Sequence, residues 1–280
     1  MNGRCLHRLR KSAYFYFYGA TALKQDDQIQ HHQTMKLPLK ALILGISVMM
    51  FNAGCEKNST TPKLRSNSIN KILPLGASRV EGARPAFESY RYELWKDLND
   101  GGWTFDFIGT QTDEASYRSY NGNEFDPDHE GRGGWTSGQI LSEIEGWLDE
   151  TGPPDIVLLS SPGGNDALEE MPFEDAVSNI NAIIAILQAH NRNVTIIIEQ
   201  MAPGRTDIMT PELTRFFEQM HQAVLNMANH QTTPTSRVIA VDIYTGFDDR
   251  YLADEVHYNA AGAEFVANRY YNVLENILEE

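Results

Sequence analysis

From residue 71 onward the chain alternates short apolar runs with longer amphipathic stretches, and this alternation limits the fold more than any other feature. The runs at 71–76, 104–109, 155–161, 194–201 and 237–242 are rich in Ile, Val and Leu and bounded by Gly, Pro or polar clusters, as strands buried on both faces are. The stretches 86–99, 137–149, 173–190, 211–230 and 259–278 carry apolar residues at helical spacing. Together they predict an α/β domain over 71–280, a parallel sheet of five strands with helices on both faces. Ligands of such sheets gather beyond the carboxyl ends of the strands, so the loops there are where chemistry is expected.

The first of these loops is Gly76-Ala-Ser78. A serine at a strand-turn-helix junction is either a nucleophile at the sheet edge or a cap for the helix that follows. After the third run comes Pro162-Gly-Gly-Asn-Asp166. Its glycines permit close backbone approach, and Asn165 is either an amide donor for developing negative charge or a left-handed turn residue. Gly131-Arg-Gly-Gly-Trp-Thr-Ser137 precedes a helix, so the N–H near Gly134 is a second donor or part of a helix cap. The last loop holds Asp254-Glu-Val-His257. An imidazole there can take a hydroxyl proton while the carboxylate fixes its tautomer; equally, the two can simply flank a helix start.

The first 54 residues have another character. Residues 1–34 are polar and irregular and read as an extension outside the fold. At Met35 a basic flank, Lys36 and Lys40, leads into an apolar run from Ala41 to Phe51 and then Asn52-Ala-Gly-Cys55, so 35–54 has the form of a secretory signal and is too short to span a bilayer comfortably. Its end resembles the lipobox of bacterial lipoproteins, which implies lipidation at Cys55 and a protein held at the cell envelope. Asn52 departs from that pattern. Residues 55–70 have a linker's composition.

The first 54 residues carry seven Lys and Arg against two Asp and Glu, which leaves 16 against 36, a net charge of −20, in the rest. That charge argues against nucleic acid and anionic lipid surfaces as partners and for a neutral substrate. Cys5 and Cys55 are the only cysteines, so no disulfide framework or thiolate metal site is expected in the body. The acidic stretch 124–130 fits no hard-cation loop and reads as solvated. His190, His221 and His230 fall in or at the ends of helical stretches, where surface or capping roles are expected.

Leu75-Gly-Ala-Ser78, the Gly134 loop, Gly163-Gly-Asn165 and Asp254-Glu-Val-His257, in this order, resemble the four motif blocks of the SGNH/GDSL hydrolases. Ser89-Tyr-Arg-Tyr-Glu-Leu-Trp95, Phe105-Asp-Phe-Ile-Gly109 and His129-Glu-Gly131 extend the likeness over about 71–275. The resemblance implies a flavodoxin-like three-layer α/β/α sandwich. It implies Ser78 as nucleophile, His257 as general base oriented by Asp254, and an oxyanion hole from the N–H groups of Ser78 and Gly134 and the amide of Asn165. No metal or organic cofactor is implied. The family's usual Gly-Asp-Ser-Leu is Gly-Ala-Ser-Arg here, and Tyr258 stands where many members have proline.

The expected activity is that of a serine esterase removing acetyl or other short acyl groups, with an acylated carbohydrate as substrate. Arg79, Arg84, Trp135 and Tyr258 are candidates for substrate contact or for packing at the rim. The alternatives are a lipase or lysophospholipase of the same fold and an inactive glycan-binding relative.

Overall fold

The computed structural model describes residues 65–279. The expectations for 1–34, for 35–54 and for Cys55 therefore lie outside the described residues. Within the expected linker, Asn70 is buried and its side chain donates to the carbonyls of Thr104 and Glu279. Asn70 is thus pinned to two segments far from it in sequence.

In chain order the elements are β1 (Lys71–Gly76), α1 (Ser78–Glu81), α2 (Arg91–Asp100), β2 (Asp106–Phe107), β3 (Gln111–Thr112), β4 (Asp128–Gly131), α3 (Ser137–Thr151), β5 (Ile156–Leu159), α4 (Gly164–Leu168), α5 (Phe173–His190), β6 (Thr195–Gln200), α6 (Pro211–Gln231), β7 (Arg237–Asp242), a single 3-10 turn at Asp249–Tyr251, and α7 (Ala260–Leu274). The sheet runs β3-β4-β1-β5-β6-β7, with β2 also on β1. All pairings are parallel except β3 with β4. The long strands therefore step one way from β1 to β4 and the other way through β5, β6 and β7. A crevice for a ligand opens at that reversal, between the carboxyl ends of β1 and β5.

Strict alternation along the strands builds the two outer layers. Leu73, Leu75, Val157, Leu159, Ile196 and Ile198 point to one face, where α3, α5 and α6 cover them. Ile72, Ile156, Leu158 and Ile197 point to the other, against α2 and α7. This is the expected three-layer sandwich, and every one of these side chains is at most 4% exposed. The helices begin where their caps allow. Thr210 Oγ1 accepts from Leu213 N with Pro211 in the first turn of α6, and Asn259 Oδ1 accepts from Gly262 N at the start of α7.

The sheet differs from the expected five strands in a way that can be traced. The run at 104–109 contributes only two residues of strand, paired with Lys71 and Ile72. The upper half of the same edge of β1 is taken by β4, whose Glu130 and Gly131 pair with Leu75 and Gly76. The sequence Asp-His-Glu-Gly of β4 has no apolar run to betray it. His129 and Glu130 are nonetheless buried, because Glu130 accepts from Thr110 N, Thr110 Oγ1 and Arg132. The stretch 124–130 is thus not the solvated loop expected: its second half is a strand whose carboxylate has fixed partners.

Candidate active site

At the top of β1 the chain turns through Gly76, where a Cβ would lie 2.8 Å from Val80 Cγ2 and 2.9 Å from the Ser160 carbonyl oxygen. Only glycine fits between those neighbours. Ala77 occupies the N-cap position of α1 with no side-chain bond, and Ser78 does not cap the helix. Its Oγ lies 2.8 Å from His257 Nε2, and His257 Nδ1 lies 2.7 Å from Asp254 Oδ2. A carboxylate only accepts, so the imidazole proton sits on Nδ1 and Nε2 is left to accept from the serine hydroxyl.

Asp254 is held by its own loop. Its Oδ1 accepts from Val256 N at 2.9 Å and from His257 N at 2.8 Å. Partial burial pushes its pKa up, but these bonds and the adjacent imidazole outweigh burial, and the carboxyl ends below its ordinary range. The loop is strapped in turn: Ala253 N donates to His257 O, and Glu88 N donates to Tyr258 O.

The other two oxyanion candidates, Gly134 and Asn165, lie on two further loops, and of these Asn165 shares a pocket with Ser78. Arg132 N donates to Gly76 O, and Gly134 follows with φ +77°, in the left-handed region that glycine adopts without strain. Asn165, at the start of α4, donates one amide hydrogen to Trp135 O at 2.8 Å, which leaves the other for a ligand. Buried Asp166 clamps the same two loops together by accepting from Ser137 N and Ser137 Oγ at 2.8 and 2.6 Å. Ser78 and Asn165 line one pocket with Ser161, Met201, Ile208, Leu213, Phe217 and Val256.

Four of the residues proposed for substrate contact have other occupations. Arg79 is 7% exposed, and its guanidinium donates to the carbonyls of Val256, Ala202 and Pro203 and to Ser161 Oγ. Although it borders the pocket, its donors are engaged in joining three loops. Tyr258 is fully buried with the Arg79 guanidinium 4.8 Å from its ring centre, so it is core and not rim. Arg84 pairs with Glu88 and lies over Tyr117. Trp135 packs against Trp147, ring centroids 5.7 Å apart and tilted by 37°, with Arg132 against both rings.

Two neighbours of the site are not among the residues expected from the sequence. Phe87 stacks on the His257 ring, centroids 3.8 Å apart and planes 11° apart. It sits in a stretch that reads as helix, but α2 starts only at Arg91; no local signal marks it. Glu199 has no exposure and lies at the top of β6, where it accepts from Tyr270 Oη and from Ser161 N, both at 2.7 Å. Burial raises its pKa against these bonds. A carboxylate closing an otherwise apolar strand, Ile196-Ile-Ile-Glu199, is a signal that was available. Of the histidines, His221 is half-buried and bonded to Met201 O, not on the surface. Among the described residues, no group of three or more His, Cys, Asp and Glu is placed to hold a metal ion.

No curated protein matches the chain. Solved structures do. A family 3 carbohydrate esterase from Talaromyces cellulolyticus is 26% identical with a TM-score of 0.65, over 75% of this chain and 98% of that one. An acetyl esterase variant with acetate ion gives 27% and 0.65 over 75% and 98%, and the Clostridium thermocellum family 3 carbohydrate esterase gives 29% and 0.58 over 75% and 100%. A family model matches residues 99–265, a span that begins after Ser78 and takes in Gly134, Asn165, Asp254 and His257. With more than half its length matched, the chain belongs to the GDSL-like lipase/acylhydrolase family.

Proposed function

We propose that the protein is a serine esterase that hydrolyses acetyl and other short acyl esters of carbohydrate through an acyl-serine intermediate. The observation that carries this reading is the unbroken chain from Ser78 Oγ to His257 Nε2 and from His257 Nδ1 to Asp254 Oδ2. Ser78 Oγ attacks the ester carbonyl while its proton passes to Nε2. The resulting oxyanion is received by the N–H groups of Ser78 and Gly134 and the free amide hydrogen of Asn165. His257 then gives the proton to the departing sugar oxygen, and water, deprotonated by the same nitrogen, releases the acyl group and restores Ser78. Asp254 holds the tautomer and supports the imidazolium.

Ala77, in place of the family's aspartate, lies outside this proton path. The carbohydrate part is supported by the neighbours described as carbohydrate esterases, at 26 to 29% identity. The net charge of −20 beyond residue 54 opposes approach to anionic interfaces, which sets a lipase or lysophospholipase behind. Export and anchoring at the cell envelope through Cys55 belong to the same proposal, resting on the pattern at 35–55. Among the described residues, no helix is long and apolar enough to cross a membrane.

The test is turnover of p-nitrophenyl acetate and of acetylated xylan by the purified protein and by Ser78→Ala. Release that depends on Ser78 supports the reading, and preference for long acyl chains would move it to the lipase. Absence of Ser78-dependent release from every ester would leave the glycan-binding alternative.

A further inference from the structure

The space beside Ser78 is divided in two. The inner pocket, walled on its apolar side by Met201, Phe217 and Val256, encloses about 40 Å³. A buried water needs roughly 10–15 Å³ on the same kind of measure, so the pocket admits only a few heavy atoms. A separate outer groove of about 580 Å³ adds Ala167, Met171 and Phe216. Leu168, Ile208 and Leu213 line both. They come from three different segments: the end of α4, the loop after β6 and the first turn of α6. The outer groove presents two exposed apolar side chains, Leu168 at 44% and Met171 at 43%, and is edged by the exposed Glu170, Thr210 and Glu212.

Resting on the esterase reading, we infer that Leu168, Ile208 and Leu213 form a wall that sets the acyl-chain length, holding the substrate's acyl group to about two to four carbons and closing off a groove that would take a longer one. The inner pocket is small and apolar, so an acetyl methyl or a propyl tail fills it, and each further methylene collides with the wall. Beyond the wall lies apolar surface that would bury such methylenes if the way were open. Burial of one methylene is worth on the order of a fourfold gain in transition-state binding. Opening the wall should therefore change the ranking of substrates.

The experiment compares kcat/KM on p-nitrophenyl acetate, butyrate, hexanoate and octanoate for the wild type, Leu168→Ala, Ile208→Ala and Leu213→Ala, each also as a Ser78→Ala blank. The wild type should fall steeply beyond butyrate. Ile208→Ala and Leu213→Ala should raise the octanoate-to-acetate ratio by about tenfold or more. Adding Met171→Ala to Ile208→Ala should remove much of the gain, because Met171 belongs to the outer groove only. Leu168→Trp, at an exposed position that folding tolerates, should narrow the pocket and lower butyrate relative to acetate. A wild type that turns over octanoate as well as acetate, or variants that lose every chain length in the same proportion, overturns the wall and leaves the esterase standing. No Ser78-dependent turnover of any ester overturns both.

Discussion

Two carboxylates stand near the serine turn, and they are held in opposite ways. Asp254 lies in a loop, its side chain 40% exposed, with partners two and three residues ahead of it. Glu199 has no exposure, and its partners Ser161 and Tyr270 are 38 and 71 residues away. Hydrogen bonds win over burial at Asp254 and lower its pKa, whereas burial wins at Glu199 and raises it. The lesson is a division of labour. The exposed carboxylate holds the imidazole, as the proposed mechanism requires, while the buried one ties the end of β6 to the loop after β5 and to α7.

The largest effects should separate these roles. Ser78→Ala and His257→Ala are expected to lower kcat by three orders of magnitude or more, and Asp254→Asn by about two to four orders, with KM nearly unchanged. Glu199→Gln should show the reverse balance: a loss of about 1–3 kcal/mol in urea unfolding, from the disturbed bonds of Ser161 and Tyr270, and a much smaller change in kcat. Equal kcat losses in Asp254→Asn and Glu199→Gln would erase the distinction.

Next in size is Arg79→Leu. It strands the carbonyls of Val256, Ala202 and Pro203, each now satisfied by the guanidinium, and an unpaired buried acceptor costs about 1–3 kcal/mol. Several kcal/mol of stability should be lost. The loss should be smaller, relative to the matching background, when Glu199→Gln is also present, because the neutral side chain no longer misses a nearby cation. Strict additivity in thermal or urea unfolding would show that the two do not cooperate.

The same contrast explains which parts of the molecule were legible in the sequence. Asp254 and His257 are three apart and their hydrogen bonds close within one loop; spacing left a helix start equally open, and the order of the four motif blocks is what pointed to their roles. β1, β5, β6 and β7 were readable because their apolar runs are dictated by burial on both faces. β4 was not, since its buried Glu130 is stabilised by Thr110, 20 residues away, and its buried His129 accepts from the N–H of Gly131. Arg79 illustrates the same limit: beside a candidate nucleophile a cation reads as a substrate contact, and only the fold reveals three carbonyls converging on it. Tyr258 was misplaced for a related reason, because position next to a motif does not fix the burial of a side chain.

A pH series should resolve the two kinds of carboxylate in one measurement. Asp126 belongs with Glu199: burial pushes it up to about 7, against bonds from the N–H groups of Phe107 and Asp128. Its folded pKa exceeds its unfolded one, so between about pH 4 and 7 the folded state binds more protons and stability falls as pH rises, by at most about 1.4 kcal/mol per unit. Asp254, with a lowered pKa, contributes stability above its unfolded value that is lost as pH falls through its folded one. Asp126→Asn should flatten the decline between pH 4 and 7, and an unchanged slope would contradict the assignment.

The smallest expected effect tests whether Phe87 belongs to the exposed, chemical side of the comparison or to the packed, structural side. Its ring covers one face of His257 at 3.8 Å and nearly parallel, so it limits rotation of the imidazole away from Ser78 and, in the proposed mechanism, offers a π face to the imidazolium. A contact of that kind is worth about 0.5–1 kcal/mol at a partly exposed site, or roughly two- to fivefold in rate. Phe87→Ala should lower kcat by that factor with KM little changed, Phe87→Tyr should restore it, and Phe87→Leu, which fills space without a π face, should not. If leucine restores kcat as fully as tyrosine, the ring acts by packing alone, and His257 is positioned by Asp254 and the loop straps without help from its stacked neighbour.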